Sequence, residues 1–149
     1  MRAILEYLLK RKETISFAES MTGGALAARF IKNSNASLAL KESFVVYSNE
    51  AKQKYLNIDP KLIEMYDVVS SEVCEAMVRN LHLLTNRTLC IATTGYAEGK
   101  NPNRCYFGMY YQGEVYIQKL VFEDQKSREE NIDTTVSYIV EFIKKTLKI

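Results

Sequence analysis

The sequence predicts a layered α/β domain in which a mixed sheet is covered by helices on both faces. Three observations carry this expectation. Apolar runs rich in β-branched and aromatic residues, at Thr14 to Ala18, Ser43 to Ser48 and Thr88 to Thr93, alternate with stretches of helical spacing. Two aromatic strands meet at Gln112-Gly113, which reads as a hairpin turn and adds an antiparallel strand. The 149 residues, 47% hydrophobic and 26% charged, suit one ordinary domain able to bury its own core, spanning 1–149.

Each element follows from local composition. Met1 to Lys12 reads as an amphipathic helix: Glu6 interrupts its apolar run and no small-residue cleavage site follows, which argues against a signal peptide. The first strand stops at Glu19-Ser20-Met21-Thr22-Gly23-Gly24, and Ala25 to Ile31 continues as a helix. After the second strand, Asn49 to Tyr55 is helical. Asp59-Pro60 opens a short helix, with Asp as N-cap and Pro in the first turn. Ser71 starts a longer helix with Val73, Met77, Leu81 and Leu84 on its apolar face. Arg104 to Tyr111 and Glu114 to Phe122 form the hairpin. The last helix aligns Ile132, Val136, Ile139, Val140, Ile143 and Leu147.

Bulk properties narrow the function classes. The formal charge is only +2 and the two signs are interspersed, so no footprint for nucleic acid is present. The lysines at 144, 145 and 148 suit a helix C-terminus. No run approaches the roughly 20 apolar residues of a membrane span. Cys74, Cys90 and Cys105 are far apart and His82 is the only histidine, too few ligands for a zinc site. Free thiols fit a reducing compartment, and the cytoplasm is the expected location. The cysteines read as small buried hydrophobes.

Three polar clusters fall at predicted strand ends: Glu19 to Gly24, Tyr47 to Lys52, and Thr93 to Gly95. If those strands are parallel neighbours, the clusters converge on one crevice at their carboxyl ends. Ser20 is a poor nucleophile without a base, and His82, mid-helix, reads as a solvated residue remote from it. A lysine can serve if desolvation lowers its pKa from about 10.4 toward about 7–8. Lys52, one helical turn past the second strand, is the candidate, although most lysines are simply solvated. Thr22-Gly23-Gly24 is either an anion site at a helix N-terminus or a plain strand-to-helix turn. Tyr47 could hydrogen-bond Ser20 or Lys52, or merely fill space. Thr94-Gly95 is a ligand contact or a turn. The hairpin aromatics (Tyr106, Phe107, Tyr110, Tyr111, Tyr116) read as packing rather than as a ring-stacking platform.

At these clusters the sequence resembles the CinA C-terminal domain family, the nicotinamide-nucleotide amidases. The stretches that carry the resemblance are Ala18-Glu19-Ser20-Met21-Thr22-Gly23-Gly24, Val46-Tyr47-Ser48-Asn49-Glu50-Ala51-Lys52, Val68-Val69-Ser70-Ser71-Glu72-Val73 and Thr94-Gly95. They follow the family's order and spacing over nearly the whole chain. The resemblance implies a three-layer α/β/α sandwich with a mixed, mostly parallel sheet. It implies hydrolysis of nicotinamide mononucleotide to nicotinic acid mononucleotide and ammonia, without metal or cofactor, by a homo-oligomer. Ser20 would be the nucleophile, Lys52 the general base and Tyr47 its supporting partner. Thr22, Gly23, Gly24, Ser48, Asn49, Thr94 and Gly95 would contact substrate, and Arg128, with Arg104 as competitor, would meet its phosphate.

Three features depart from the family pattern. Met21 stands where cysteine is common. The loop Tyr96 to Arg104 is shorter and more charged than the family's glycine-rich one, which bears on substrate affinity and selectivity more than on the core chemistry. The arginine expected beyond the hairpin has Arg128 as its nearest match, to within a residue or so of the family register. The chain reads as the stand-alone form, without the second domain often fused ahead of this one. Two rivals to the deamidase stand beside it: a nucleotide-binding module of the same fold without activity, and an amidase for another small carboxamide.

Overall fold

The computed structural model describes residues 1–149. Its five strands form one sheet in the order β2-β1-β3-β4-β5. The strands are β1 (Ile15–Glu19), β2 (Leu40–Val45), β3 (Leu89–Tyr96), β4 (Arg104–Tyr111) and β5 (Glu114–Val121). β1 pairs in parallel with β2 and β3, and the β4–β5 hairpin adds two antiparallel pairings. The hairpin turns on Gln112 and Gly113, both at positive φ (52° and 88°), the turn whose twist matches a two-residue connection.

Every residue of β1 is buried, because helices cover both faces of the sheet. Alternation along β1 and β3 divides the core in two. Ile15, Phe17, Leu89 and Ile91 face α1 (Arg2–Arg11), α2 (Ala25–Ile31), α3 (Ala36–Ala39) and α7 (Arg128–Leu147). Ala18, Cys90 and Ala92 face α4 (Asn49–Leu56) and α6 (Ser71–Thr85), with α5 (Pro60–Tyr66) beside them. The three-layer sandwich expected from the sequence is the architecture observed. No helix is long and apolar enough to cross a membrane.

Three local expectations change and one short helix is added. β2 runs Leu40–Val45 instead of Ser43 to Ser48, because parallel pairing with β1 extends it back through Glu42 and Leu40, with Lys41 left at a register shift; an edge strand tolerates the polar Lys41 and Glu42. The four-residue α3 is too short to leave a periodic signal. On α6 the buried face is Val73, Cys74, Met77, Val78, Leu81 and Thr85, at mixed i+3 and i+4 spacing, and Leu84 faces outward. His82 is no solvated residue: its ring stacks on Tyr110 at 3.8 Å, and Nδ1 lies 3.0 Å from the Arg87 carbonyl.

Five of the six residues expected on the inner face of α7 are buried, Ile132 is half-buried, and Asn131 and Thr135 join the face; Phe107 of β4 lies beneath it in edge-on contact with Tyr138 and Phe142. Truncating this fully buried ring leaves a cavity between sheet and helix. Phe107→Ala therefore costs about 3–5 kcal/mol in urea unfolding, with an unchanged denaturant slope.

Candidate active site

β1 exits into α2 on one face of the sheet, while its neighbour β2 exits into α4 on the other. Such a divergence opens a crevice at the carboxyl ends of the strands. A pocket of about 200 Å³ lies there, lined by Ser20, Met21, Tyr47, Asn49, Lys52, Val68, Val69, Thr94, Gly95, Tyr96, Ala97, Glu98 and Arg128.

Ser20 is the first residue past β1, and Glu19 shapes the turn that carries it. The Glu19 side chain is fully buried and accepts the amides of Gly24 (3.1 Å), Leu26 (3.0 Å) and Ala27 (2.9 Å). It thus caps α2 from the strand end, satisfying orphan N–H donors where negative charge is also favoured by the helix dipole. Gly23 and Gly24 adopt positive φ (58° and 99°), which tightens the turn enough for that reach. The Ser20 amide donates to Thr93 Oγ1 at 3.2 Å, anchoring the turn to β3.

Lys52 reaches the same point from α4. Its register is set by Ser48, the N-cap, whose Oγ accepts the Ala51 amide at 3.0 Å. The side chain is 1% exposed, and Nζ sits 3.0 Å from Ser20 Oγ and 3.0 Å from the Val46 carbonyl. Burial alone pushes its pKa down to about 8. A neutral amine here would donate one N–H to Val46 and turn its lone pair to the Ser20 hydroxyl.

The remaining expected contacts divide. Thr94 Oγ1 donates to the Val68 carbonyl at 2.8 Å, joining β3 to the segment before α6, and lines the pocket. Gly95 lines it too; a Cβ there would collide with Met21 Sδ and Cys105 Cβ, so the absent side chain makes room for buried Met21. Asn49 and Arg128 are at the rim. Tyr47, by contrast, lines the pocket but is hydrogen-bonded to neither Ser20 nor Lys52: it is 59% exposed and its hydroxyl accepts from Arg128 Nη2 at 2.6 Å.

Thr22, Gly23 and Gly24 lie outside the pocket lining. Thr22 Oγ1 pairs with Thr93 Oγ1, and the helix amides serve Glu19, so the supposed anion site is filled by the chain's own carboxylate. Ser48 likewise works as a cap and not as a lining residue.

Of the two competing arginines, Arg128 is the one in the pocket. It opens α7, whose start is fixed by a reciprocal capping box between Ser127 and Glu130. Arg104 instead pairs with Asp67 Oδ2 at 3.3 Å and lies over the Tyr96 ring. Sequence reasoning passed over Glu19 as a cap, the Val46 carbonyl as an acceptor, and Glu98. The first had a readable signal, a carboxylate at the strand end four residues ahead of the Gly23-Gly24 turn into a helix.

The family profile described as the CinA C-terminal domain matches residues 1–147. A protein of Alkaliphilus metalliredigens, provisionally named competence-damage inducible, is 31% identical over 97% of this chain and 36% of its own length. A Clostridium kluyveri protein of the same name is 37% identical over 76% of this chain and 29% of its own. The chain thus spans about a third of the length of such relatives. The competence damage-inducible protein A of Klebsiella pneumoniae superimposes with a TM-score of 0.92, covering 99% of this chain and 94% of that one at 22% identity. The Escherichia coli CinA superfamily structure gives 0.84 over 90% and 80%, at 24% identity. These structural likenesses concern the fold.

The buried amine has a thermodynamic consequence. Because the native state releases the Lys52 proton near pH 8 and the unfolded chain near 10.5, the unfolded state holds more protons between those values. Stability therefore rises with pH across that window, by about 3 kcal/mol. Unfolding measured from pH 7 to 11 shows this rise in the wild type relative to Lys52→Met, and the difference cancels contributions from other titrating groups.

Proposed function

The chain belongs to the CinA C-terminal domain family, and from that premise we propose that it is an amidase acting on nicotinamide mononucleotide. The observation that carries the proposal is the Lys52 Nζ–Ser20 Oγ contact of 3.0 Å within a desolvated pocket. A serine needs a base within hydrogen-bond reach, and a lysine serves only if its pKa falls toward neutrality. Both conditions are met at one place.

The proposed course starts with the neutral Lys52 amine taking the Ser20 proton as Oγ attacks the carboxamide carbon. The amide of Met21, a pocket-lining residue next to Ser20, is bonded to no acceptor of the chain, which suits it to the developing oxyanion. The lysine ammonium then delivers its proton to the leaving nitrogen, and ammonia departs, leaving an acyl ester on Ser20. Water attacks that ester with Lys52 again as base. Return of the proton to Ser20 Oγ frees the carboxylic acid product and restores both groups. Tyr47 supports this indirectly, by holding Arg128 at the rim.

The pocket of about 200 Å³ is smaller than the roughly 300 Å³ at which enclosed small-molecule sites usually begin. It accommodates the pyridine carboxamide end, with the ribose phosphate directed outward to Arg128. The same family reading includes a homo-oligomer in the cytoplasm. Light scattering at working concentration tests the assembly, and a monomer would remove that part.

Ammonia release from nicotinamide mononucleotide by the wild type, Ser20→Ala and Lys52→Met, with and without a chelator, tests the reaction. Ser20→Ala is expected to lose about a thousandfold and Lys52→Met at least about a hundredfold, with no chelator effect. The kcat/KM of the wild type should climb tenfold per pH unit below about 8 and level off above it, tracking the neutral amine. A wild type that binds the nucleotide but releases no ammonia would make the protein a binding module. Turnover of a different carboxamide instead would keep the mechanism and change the substrate.

A further inference from the structure

Three side chains from three distant parts of the chain meet over the pocket mouth. Arg128 Nη1 pairs with Glu98 Oε1 at 3.2 Å, and Arg128 Nη2 donates to Tyr47 OH at 2.6 Å. Tyr47 comes from the β2–α4 connection, Glu98 from the β3–β4 loop and Arg128 from the start of α7. All three line the pocket.

We propose that Glu98 is a specificity-determining residue: its carboxylate holds the guanidinium that a substrate phosphate would need, and the phosphate must displace it. The inference rests on the amidase reading for the identity of the substrate, while the competition itself depends only on an anion at Arg128.

Charge and exposure set its size. Arg128 is the first residue of α7, where the helix dipole is positive, so the cation there is drawn to any acceptor in reach. Glu129 and Glu130 offset the dipole within the same turn, but Glu130 is committed to the Ser127 amide and Glu98 is the carboxylate bonded to the guanidinium. The Arg128 and Glu98 side chains are 40% and 62% exposed, and an ion pair so open to solvent is weak. A phosphate can therefore replace Glu98 at modest cost, then sits beside a displaced like charge. The neutral nucleoside has no such competition. Glu98 thus narrows the preference for nucleotide over nucleoside that Arg128 alone would give, and it does so without touching Ser20 or Lys52.

Calorimetric titrations in a Ser20→Ala background, where turnover is blocked, test this. The ligands are nicotinamide mononucleotide, its dephosphorylated nucleoside, and ribose 5-phosphate. Glu98→Gln is expected to tighten both phosphorylated ligands by about fivefold, the upper end of what an exposed pair is worth, and to leave the nucleoside behind. In an Arg128→Gln background the same substitution should lose that effect, since the competition acts through the guanidinium. Equal tightening of all three ligands, no tightening of the phosphorylated pair, or a gain that survives Arg128→Gln would each overturn the inference. Failure of the amidase reading looks different: ribose 5-phosphate still responds to Glu98 while the pyridine nucleotide shows no advantage over it.

Discussion

The placement of Ser20 depends on one buried carboxylate. Glu19 ends β1 with its side chain turned back onto three amides of the adjoining turn and first helical turn. A buried carboxylate is costly unless its oxygens are satisfied, and helix amides are costly unless accepted. Each solves the other's problem, so the strand end, the Gly-Gly turn and α2 become one rigid unit. Ser20 sits inside that unit and inherits its position. The Val46 amide also donates to the Glu19 carbonyl at 2.8 Å, which ties the end of β2 to the same residue. Through that bond the segment leading to Lys52 is registered against the segment carrying Ser20.

The lysine obeys the opposite logic. Its amine is buried with a hydroxyl and a carbonyl as partners and no carboxylate bonded to it. No opposite charge compensates the ammonium, and burial favours the neutral form. A carboxylate partner would have made a more stable pair and a useless base. The fold thus carries a destabilising group at the proposed catalytic position, offset by the two large apolar clusters on either face of the sheet.

On the proposed function, reaction and recognition would occupy different depths of the pocket. The floor is built from strand ends and buried side chains, with Ser20, Lys52 and Thr94 each no more than 6% exposed. The rim is built from exposed groups on loops and a helix start, Tyr47, Glu98 and Arg128, whose mutual bonds are weak and replaceable. Rim residues can therefore change without disturbing the dyad. That separation fits the charged loop after Tyr96, where this chain departs from the pattern it otherwise resembles.

Much was legible in the residues alone. Hydrophobic periodicity located the helices and strands, because a stripe or an alternation must be buried somewhere. The polar residues gathered at strand ends indicated a crevice, and the spacing of Ser20 and Lys52 relative to their strands indicated that they could meet. The buried face of α6 ends on Thr85 and not on Leu84 because the polar Thr85 satisfies its hydroxyl on the Leu81 carbonyl one turn back, and on Ser16, which only packing brings within reach. β2 began earlier than its apolar run because its limits are set by pairing with β1, not by its own composition. Tyr47 turned from the dyad to Arg128, and the helix amides turned inward to Glu19, for one reason. Residue types fix what a group can bond to, whereas the choice among partners is made by distance, and distances between residues 47 and 128 or 20 and 52 exist only once the chain is folded.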